Sequence, residues 1–263
     1  MIDTALYAAR EAGAILRTKL GAANKIQFKD DNPVNLVTEA DKASEARVIE
    51  IILDRHPGHS ILCEESGVLN PGSEYRWIID PLDGTTNFAH GLQVFSVSIA
   101  LEVDGVVRYG VVYDPMKDEL FHAVLGGGAF LNNSPIHVTG LPDIRRAMLA
   151  TGFPYNVTSN PDFCFERFVS FMRRVQAVRR LGSAALDCAY VAAGRFDGFW
   201  EVALQPWDKA AGQLLVTEAG GRITDFYGGA HDLYKPQFLG SNGKIHDEMV
   251  AILKAAESIQ ISN

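Results

Sequence analysis

The chain has 263 residues, 47% of them hydrophobic and 21% charged, a balance that excludes a disordered or fibrous protein and leaves room for one large domain or two ordinary ones. Its formal net charge of -8 argues against polyanionic partners such as nucleic acid or an anionic membrane. Met1 to Arg10 lack the apolar stretch of a secretory signal, no segment approaches about 18 consecutive apolar residues, and the cysteines, Cys63, Cys164 and Cys188, fit neither a disulfide framework nor a CxxC zinc site. A cytoplasmic protein with no membrane span is expected.

Leu6, Ala9, Gly13, Leu16 and Leu20 recur at steps of three and four and predict an amphipathic helix over residues 2–20, stopped by Gly21. A polar loop through Asp30-Asp31-Asn32-Pro33 leads to a second helix, Glu39 to Arg55, with Ala43, Ala46, Ile49, Ile52 and Leu53 on one face. Residues 60–63 and 76–79 are short apolar runs followed at once by acidic groups, as in strands that run out of a sheet into a site. From Val94 to Asn133, β-rich runs alternate with turn signals at Asp104-Gly105, Asp114-Pro115 and Gly126-Gly127-Gly128, which predicts an antiparallel meander. Beyond Gly140-Leu141-Pro142, strand and helix alternate: a strand at 147–151, a helix near 162–174, and a helix after Gly182-Ser183 running to Gly194. A strand at 196–201, a helix from Pro206 to Ala219, strands at 222–226 and 237–240 and a helix from Lys244 complete the chain. The change of pattern divides an N-terminal α+β domain, residues 1–140, from a C-terminal α/β domain, residues 141–263.

The chemistry concentrates in Asp80-Pro81-Leu82-Asp83-Gly84-Thr85-Thr86-Asn87. Pro81 stiffens the backbone between two carboxylates and Gly84 permits a sharp turn before Thr85 and Thr86. The strand is expected to end there in a carboxylate-lined turn. If Thr85 and Thr86 open a short helix, their N–H groups suit a phosphate while the carboxylates hold divalent cations, which take oxygen ligands. Glu64 and Glu65 follow Ser60-Ile61-Leu62-Cys63, and Asp208 follows Gln205-Pro206-Trp207 at a helix start, in the same manner. Each acidic group taken singly also reads as a solvated turn residue or a helix cap, and spacing alone does not bring Glu64, Asp80 and Asp208 together.

Glu64-Glu65-Ser66, Asp80 to Asn87 and Trp207-Asp208-Lys209-Ala210-Ala211-Gly212, in this order and spacing, resemble the inositol monophosphatase family over about residues 5–255. The resemblance implies a layered αβαβα sandwich of the α/β (α+β) class, shared with fructose-1,6-bisphosphatases. It implies two or three Mg²⁺ ions, with Glu64, Asp80, the Leu82 carbonyl, Asp83 and Asp208 as ligands. Leu36-Val37-Thr38-Glu39-Ala40-Asp41 looks like the family's loop beside the attacking water, so Asp41 pairs with Thr85, and together with Glu64 they activate that water. Asp83, Gly84, Thr85, Thr86, Gly182, Ser183, Ala184, Glu201 and Asp208 become the phosphate and substrate contacts. Taken alone, Gly182-Ser183 is also an ordinary helix cap and Glu201 an ordinary strand end. Two positions depart from the family pattern: Cys63, where a smaller or hydroxylated residue is usual, and Gln93, where Pro is usual.

The resemblance further implies hydrolysis of the phosphate monoester of a small polyol, inositol monophosphate first, by a homodimer. Thr86, where relatives acting on nucleotides or histidinol phosphate often carry Lys, points to a neutral polyol. A fructose-1,6-bisphosphatase or broader sugar phosphatase is the alternative, and Arg179, Arg180 or Arg195 are the groups that could meet a second phosphate. Because some similar bacterial proteins bind the transcription machinery, an accessory binding role is a reading of a different class. The basic cluster Arg173-Arg174 and Arg179-Arg180 bears on it, though a solvated helix end or a subunit contact explains it better than polyanion binding does. His56 and His59, which flank Pro57-Gly58, read as a surface turn rather than a zinc site.

Overall fold

Small residues let the first helix lie flat on a sheet. The structure, a computed structural model, describes residues 1–21, 26–28 and 36–258, so the expected polar loop at Asp30–Pro33 lies outside it. Helix α1 (Ile2–Lys19) buries Ala5, Ala8, Ala9, Ala12 and Gly13. A Cβ on Gly13 would stand 2.5 Å from the Tyr113 ring, so only glycine allows this approach. The short pair β1 (Ile26–Phe28) and β2 (Leu36–Thr38), antiparallel, leads into α2 (Glu39–Arg55), which packs beside α1.

The large sheet has eight strands. In chain order these are β3 (Ser60–Cys63), β4 (Gly67–Leu69), β5 (Tyr75–Asp83), β6 (Ser96–Val103), β7 (Val106–Asp114), β8 (Glu119–Val124), β9 (Gly128–Leu131) and β10 (Ser134–Pro135), with the five-residue helix α3 (Thr85–Ala89) between β5 and β6. The spatial order is β10-β9-β8-β7-β6-β5-β3-β4. Strands β6 to β9 form the expected antiparallel meander, and β5 extends it, whereas β3 runs parallel to β5, so the Cys63–Glu64 and Asp80–Asp83 ends emerge at the same end of the sheet.

The second sheet takes β11 (Met148–Thr151), β12 (Ala177–Arg179), β13 (Gly198–Glu201), β14 (Arg222–Thr224) and β15 (Phe238–Ser241) in the order β12-β11-β13-β15-β14. Its helices are α4 (Cys164–Met172), α5 (Ala184–Ala192), α6 (Pro206–Glu218) and α7 (His246–Ala256). Helices α1 and α2 cover the outer face of the large sheet, α5 and α6 fill the space between the sheets, and α4 and α7 close the far side. This is the expected αβαβα layering, and three apolar clusters fill the gaps between layers. Ala211 of α6 lies so close to β7 that a Cβ on Gly110 would meet its backbone at 3.0 Å.

Three expectations change. The buried face of α2 is Ala40, Asp41, Ser44, Glu45, Val48, Ile51 and Ile52, while Ala46 is exposed. The helix is turned toward polar residues that bond to the site, which hydrophobic periodicity does not register. Strand β5 does not stop before Asp80 but continues to Asp83, with a register shift between them where Pro81 has no N–H to give. His56 and His59 form a half-buried stack, ring centroids 4.9 Å apart, that extends onto Tyr75 and Trp77. Trp77 Nε1 donates to His59 Nδ1 at 3.0 Å, and Thr4 Oγ1 meets His56 Nε2 at 3.0 Å.

Candidate active site

The end of β5 is shaped by hydrogen bonds among its own atoms. The Leu82 N–H donates to Asp80 Oδ1 at 3.0 Å, and Thr85 Oγ1 lies 3.0 Å from the Leu82 carbonyl. Gly84 reverses the chain at φ +100°, where a Cβ would meet the Val94 carbonyl at 3.0 Å and the Gly182 carbonyl at 3.1 Å. Asn87 fixes the turn to the second half of the chain, since its Nδ2 donates to both Val94 O and Leu181 O at 2.8 Å.

Helix α2 begins against this turn. Thr38 caps it and Asp41, at the third helical position, reaches back: Asp41 Oδ2 accepts from Thr38 N at 2.8 Å and from Thr38 Oγ1 at 2.6 Å. The other oxygen, Oδ1, lies 3.1 Å from Thr85 Oγ1. A capping residue therefore also holds the Thr85 hydroxyl. Ser44 donates to the Pro81 carbonyl at 2.8 Å, and Glu45 accepts from the Glu65 N–H at 3.0 Å and from Ser66 Oγ, so α2 grips both strand ends. Burial pushes the Asp41 carboxyl up, against the opposing Thr38 bonds, with the Glu64 charge adding to the rise.

Helix α5 starts against Asp83. Ser183 Oγ donates to Asp83 Oδ2 at 2.5 Å, Ala185 N at 2.8 Å, and Ala184 N donates to Oδ1 at 3.2 Å. A carboxylate at a helix N-terminus meets unsatisfied N–H groups and the positive end of the dipole. Burial nonetheless raises Asp83 to about 6, because these bonds do not fully replace water, and the nearby Glu64 charge adds to the rise. Helix α6 starts in the same way: Pro206 fills its first turn, and Asp208 Oδ2 accepts from Gln205 N at 2.6 Å. Ser98 of β6 donates to the Trp207 carbonyl at 3.2 Å and sets this terminus over the large sheet.

The acidic groups act on one another. Asp80 is raised well above the usual carboxylate range by burial, then by the charges of Glu64, Asp83 and Asp208. Asp208 is raised by burial, then by Asp83 and Glu64, and Glu201 by burial, then by Asp208 and Asp83. Lys209, fully buried beside them, donates Nζ to the Lys235 carbonyl, and burial pulls it down to about 8.

Hydrogen bonds thus join Asp41, Thr85 and Leu82 in one set and Asp83, Ser183 and Ala184 in another, mutual repulsion links Glu64, Asp80, Asp83, Asp208 and Glu201, and Gly84 lies against Gly182. The Thr86 side chain is exposed beside them. The carboxylates face one another without converging: among the described residues no three His, Cys, Asp or Glu side chains are gathered closely enough to hold an ion. Sequence reasoning does not single out Ser44, Glu45 and Ser96, each of which bonds to a site element, because isolated polar residues carry no periodic signal. It also passed over Asp187 of α5, 1% exposed and under the charges of Glu201 and Asp83.

A family model described as the inositol monophosphatase family matches residues 1–260. The chain belongs to the inositol monophosphatase family. Within it, the chain is 43% identical over 255 residues to an inositol-1-monophosphatase of Synechocystis sp., covering 97% of this chain and 88% of the other. It is 43% identical over 251 residues to a protein of Pasteurella multocida named Nus factor SuhB, covering 95% and 94%. The solved inositol monophosphatase of Anabaena (Nostoc) sp. PCC 7120 superposes with a TM-score of 0.88 at 45% identity over 97% of this chain and 95% of that one. Family and structural neighbours support a phosphatase, and no helix among the described residues is long and apolar enough to cross a membrane.

The donor set suits the hard cations expected for such an enzyme. Glu64, Asp80, Asp83 and Asp208 offer carboxylate oxygen and Leu82 a carbonyl, and the mutual repulsion that raises Asp80 and Asp208 is the kind a divalent cation relieves.

Proposed function

We propose that this protein hydrolyses the phosphate monoester of a small polyol in the presence of Mg²⁺, with inositol monophosphate the leading substrate, water the nucleophile, and inositol and phosphate the products. The observation that carries this reading is Asp41 holding Thr85 at the edge of a cluster of mutually repelling carboxylates. In this reading Glu64, Asp80, the Leu82 carbonyl, Asp83 and Asp208 hold two or three ions. Mg²⁺ held there would supply charge neutralisation for the phosphate and the leaving oxygen.

The chain's own groups do the rest. Asp41, fixed by two Thr38 bonds, accepts the Thr85 hydroxyl proton in a hydrogen bond, which leaves the Thr85 oxygen to accept from the attacking water. Glu64 is the second base for that water. The Gly84, Thr85 and Thr86 amides, at a first helical turn that lacks intrahelical acceptors, orient phosphate oxygens. Ser183 and the Ala184 and Ala185 amides keep Asp83 turned toward the substrate end, where Gly182, Ala184 and Glu201 meet the departing alcohol.

In this reading residues 1–140 and 141–263 form two domains that share the site, in a cytoplasmic homodimer. The apolar stripe of α4, with Phe165 and Met172 exposed and Phe168 and Val169 half-buried, supports a second copy docking there. The test is phosphate release from inositol 1-phosphate and fructose 1,6-bisphosphate in millimolar Mg²⁺ and in chelator. A higher kcat/KM for the inositol ester, lost in chelator, is expected, together with a melting temperature raised by Mg²⁺. Equal melting and equal turnover in Mg²⁺ and chelator would sink the metal assignment.

The name Nus factor SuhB on relatives supports a second reading, an accessory role with the transcription machinery. Nuclease-treated pull-downs with wild type and an Asp83→Asn variant separate the two: a partner retained by the inactive variant supports the second.

A further inference from the structure

Glu64 leaves β3 on a turn near the edge of the large sheet, with only the short strand β4 beyond it. Its own N–H donates to the Ile79 carbonyl of β5 at 3.2 Å, while the residues on either side of it reach the other way, to Glu45 of α2. The Glu65 N–H donates to Glu45 Oε2 at 3.0 Å, Ser66 Oγ donates to Oε1, and the Cys63 thiol also bonds to this carboxylate. Glu45 is 2% exposed. Burying a carboxylate is costly unless donors surround it, and the donors that serve this one come from the turn that carries Glu64. One turn earlier on the same face of α2, Asp41 accepts from Thr85 Oγ1 at 3.1 Å, and Ser44 donates to the Pro81 carbonyl at 2.8 Å. A single helix therefore holds both segments that bear the groups set on the attacking water, Thr85 and Glu64.

We propose that Glu45 is a positioning residue for Glu64: its carboxylate clamps the Cys63–Ser66 turn to α2, so that Glu64 and Thr85 are aligned by residues four apart on one helix. The inference rests on the phosphatase reading above. Glu45 touches neither water nor phosphate in this scheme and acts by fixing the backbone on both sides of Glu64. Loss of a group that orients a ligand or base in this way typically changes metal affinity or activity by about 10- to 100-fold.

The experiment is a double-mutant cycle of Glu45→Gln and Glu64→Gln, read by phosphate release from inositol 1-phosphate and by thermal melts over a Mg²⁺ titration. Glutamine fills the same space, but its amide nitrogen is a donor facing donors. In the wild-type background, Glu45→Gln should lower kcat about tenfold with KM within about twofold, and raise about tenfold the Mg²⁺ concentration that gives half of the thermal stabilisation. In the Glu64→Gln background the same change should cost less than about twofold in either measurement, because its effect runs through Glu64. Ser66→Ala, which removes one clamp bond from an exposed residue and keeps Glu45, should lower kcat about threefold in the same pattern, and it serves where Glu45→Gln does not fold. Equal losses in the two backgrounds would make Glu45 a structural residue and overturn the assignment, as would a wild-type kcat and Mg²⁺ response in both variants. If wild type releases no phosphate from inositol 1-phosphate or fructose 1,6-bisphosphate, the phosphatase reading fails and takes this inference with it. If wild type is active and the losses add, only the role of Glu45 falls.

Discussion

The surroundings of Thr85 and of Glu201 are built differently. Around Thr85 the groups Asp41, Leu82, Asp83 and Ser183 already have partners at 2.5 to 3.2 Å, drawn from helix termini and a strand end. Glu201 instead rests on a bare glycine, Gly152. Reacting groups have to be oriented before substrate arrives, so their hydrogen bonds belong to the fold. Groups that select an alcohol take their donors from the ligand, and their incompleteness is the source of discrimination.

Thr85→Val breaks the comparison most sharply. Valine keeps the shape of threonine but removes the hydroxyl that bonds to Asp41 and that the proposed mechanism sets against the attacking water. We expect kcat to fall by about 10²- to 10⁴-fold, the range for loss of a positioned base. Because Asp41 keeps both Thr38 bonds, the melting temperature should change little. Phosphate-release kinetics with a thermal melt checks this, and a kcat within a few-fold of wild type would reduce the Asp41–Thr85 contact to a helix cap.

The surroundings of Thr85 were the more legible in sequence, for a physical reason. A carboxylate pair spaced around a proline, a glycine at a forced reversal and acidic residues opening two helices are choices that packing alone does not require. Asp80 to Asn87 and Asp208 therefore stood out. The buried face of α2 did not, because Asp41, Ser44 and Glu45 are inside for bonds made to distant segments, and the periodicity of Ala43, Ala46 and Ile49 pointed a turn away. Strands β4, β10 and β12, two or three residues long, are too brief for a period to show. Asp187, between Leu186 and Cys188, reads in sequence as any helix acid, and only the packing of α5 between the sheets makes it notable.

Asp83 sharpens the comparison through pH. Its folded-state value of about 6 lies above the ordinary carboxylate value of 3.8, so the fold binds this proton more tightly than the unfolded chain does. In chelator, the destabilisation from ionised Asp83 is full above about pH 6 and is relieved as pH falls toward 4. An Asp83→Asn variant lacks this dependence. Its melting temperature relative to wild type should therefore be highest near pH 7.5 and drop by a few degrees at pH 5. Burial pulls His246 down to about 4, and it opposes this trend over the same range, but it does so in both proteins and cancels. In Mg²⁺ the sign reverses for wild type, since the ion requires the ionised carboxylate and its stabilisation fades as pH falls. A relative melting temperature that does not vary with pH would show that Asp83 ionises below this range.

The smallest effect tests the surroundings of Glu201. At Gly84 the atoms that would meet a Cβ are carbonyls of Val94 and Gly182 and the backbone is at φ +100°, so substitution there strains the fold. At Gly152 the obstacle is the far end of the Glu201 side chain, which can swing aside. Gly152→Ala should therefore leave the melting temperature and kcat nearly unchanged while displacing Glu201 and, if Glu201 meets the alcohol as proposed, raising KM for the polyol ester about threefold. Adding Glu201→Asp, one methylene shorter, should recover part of the loss by drawing the carboxylate back from the new methyl group. An unchanged KM in the single variant would mean that Glu201 reads nothing where it now lies, and the contrast between finished and ligand-completed surroundings would fail at that residue.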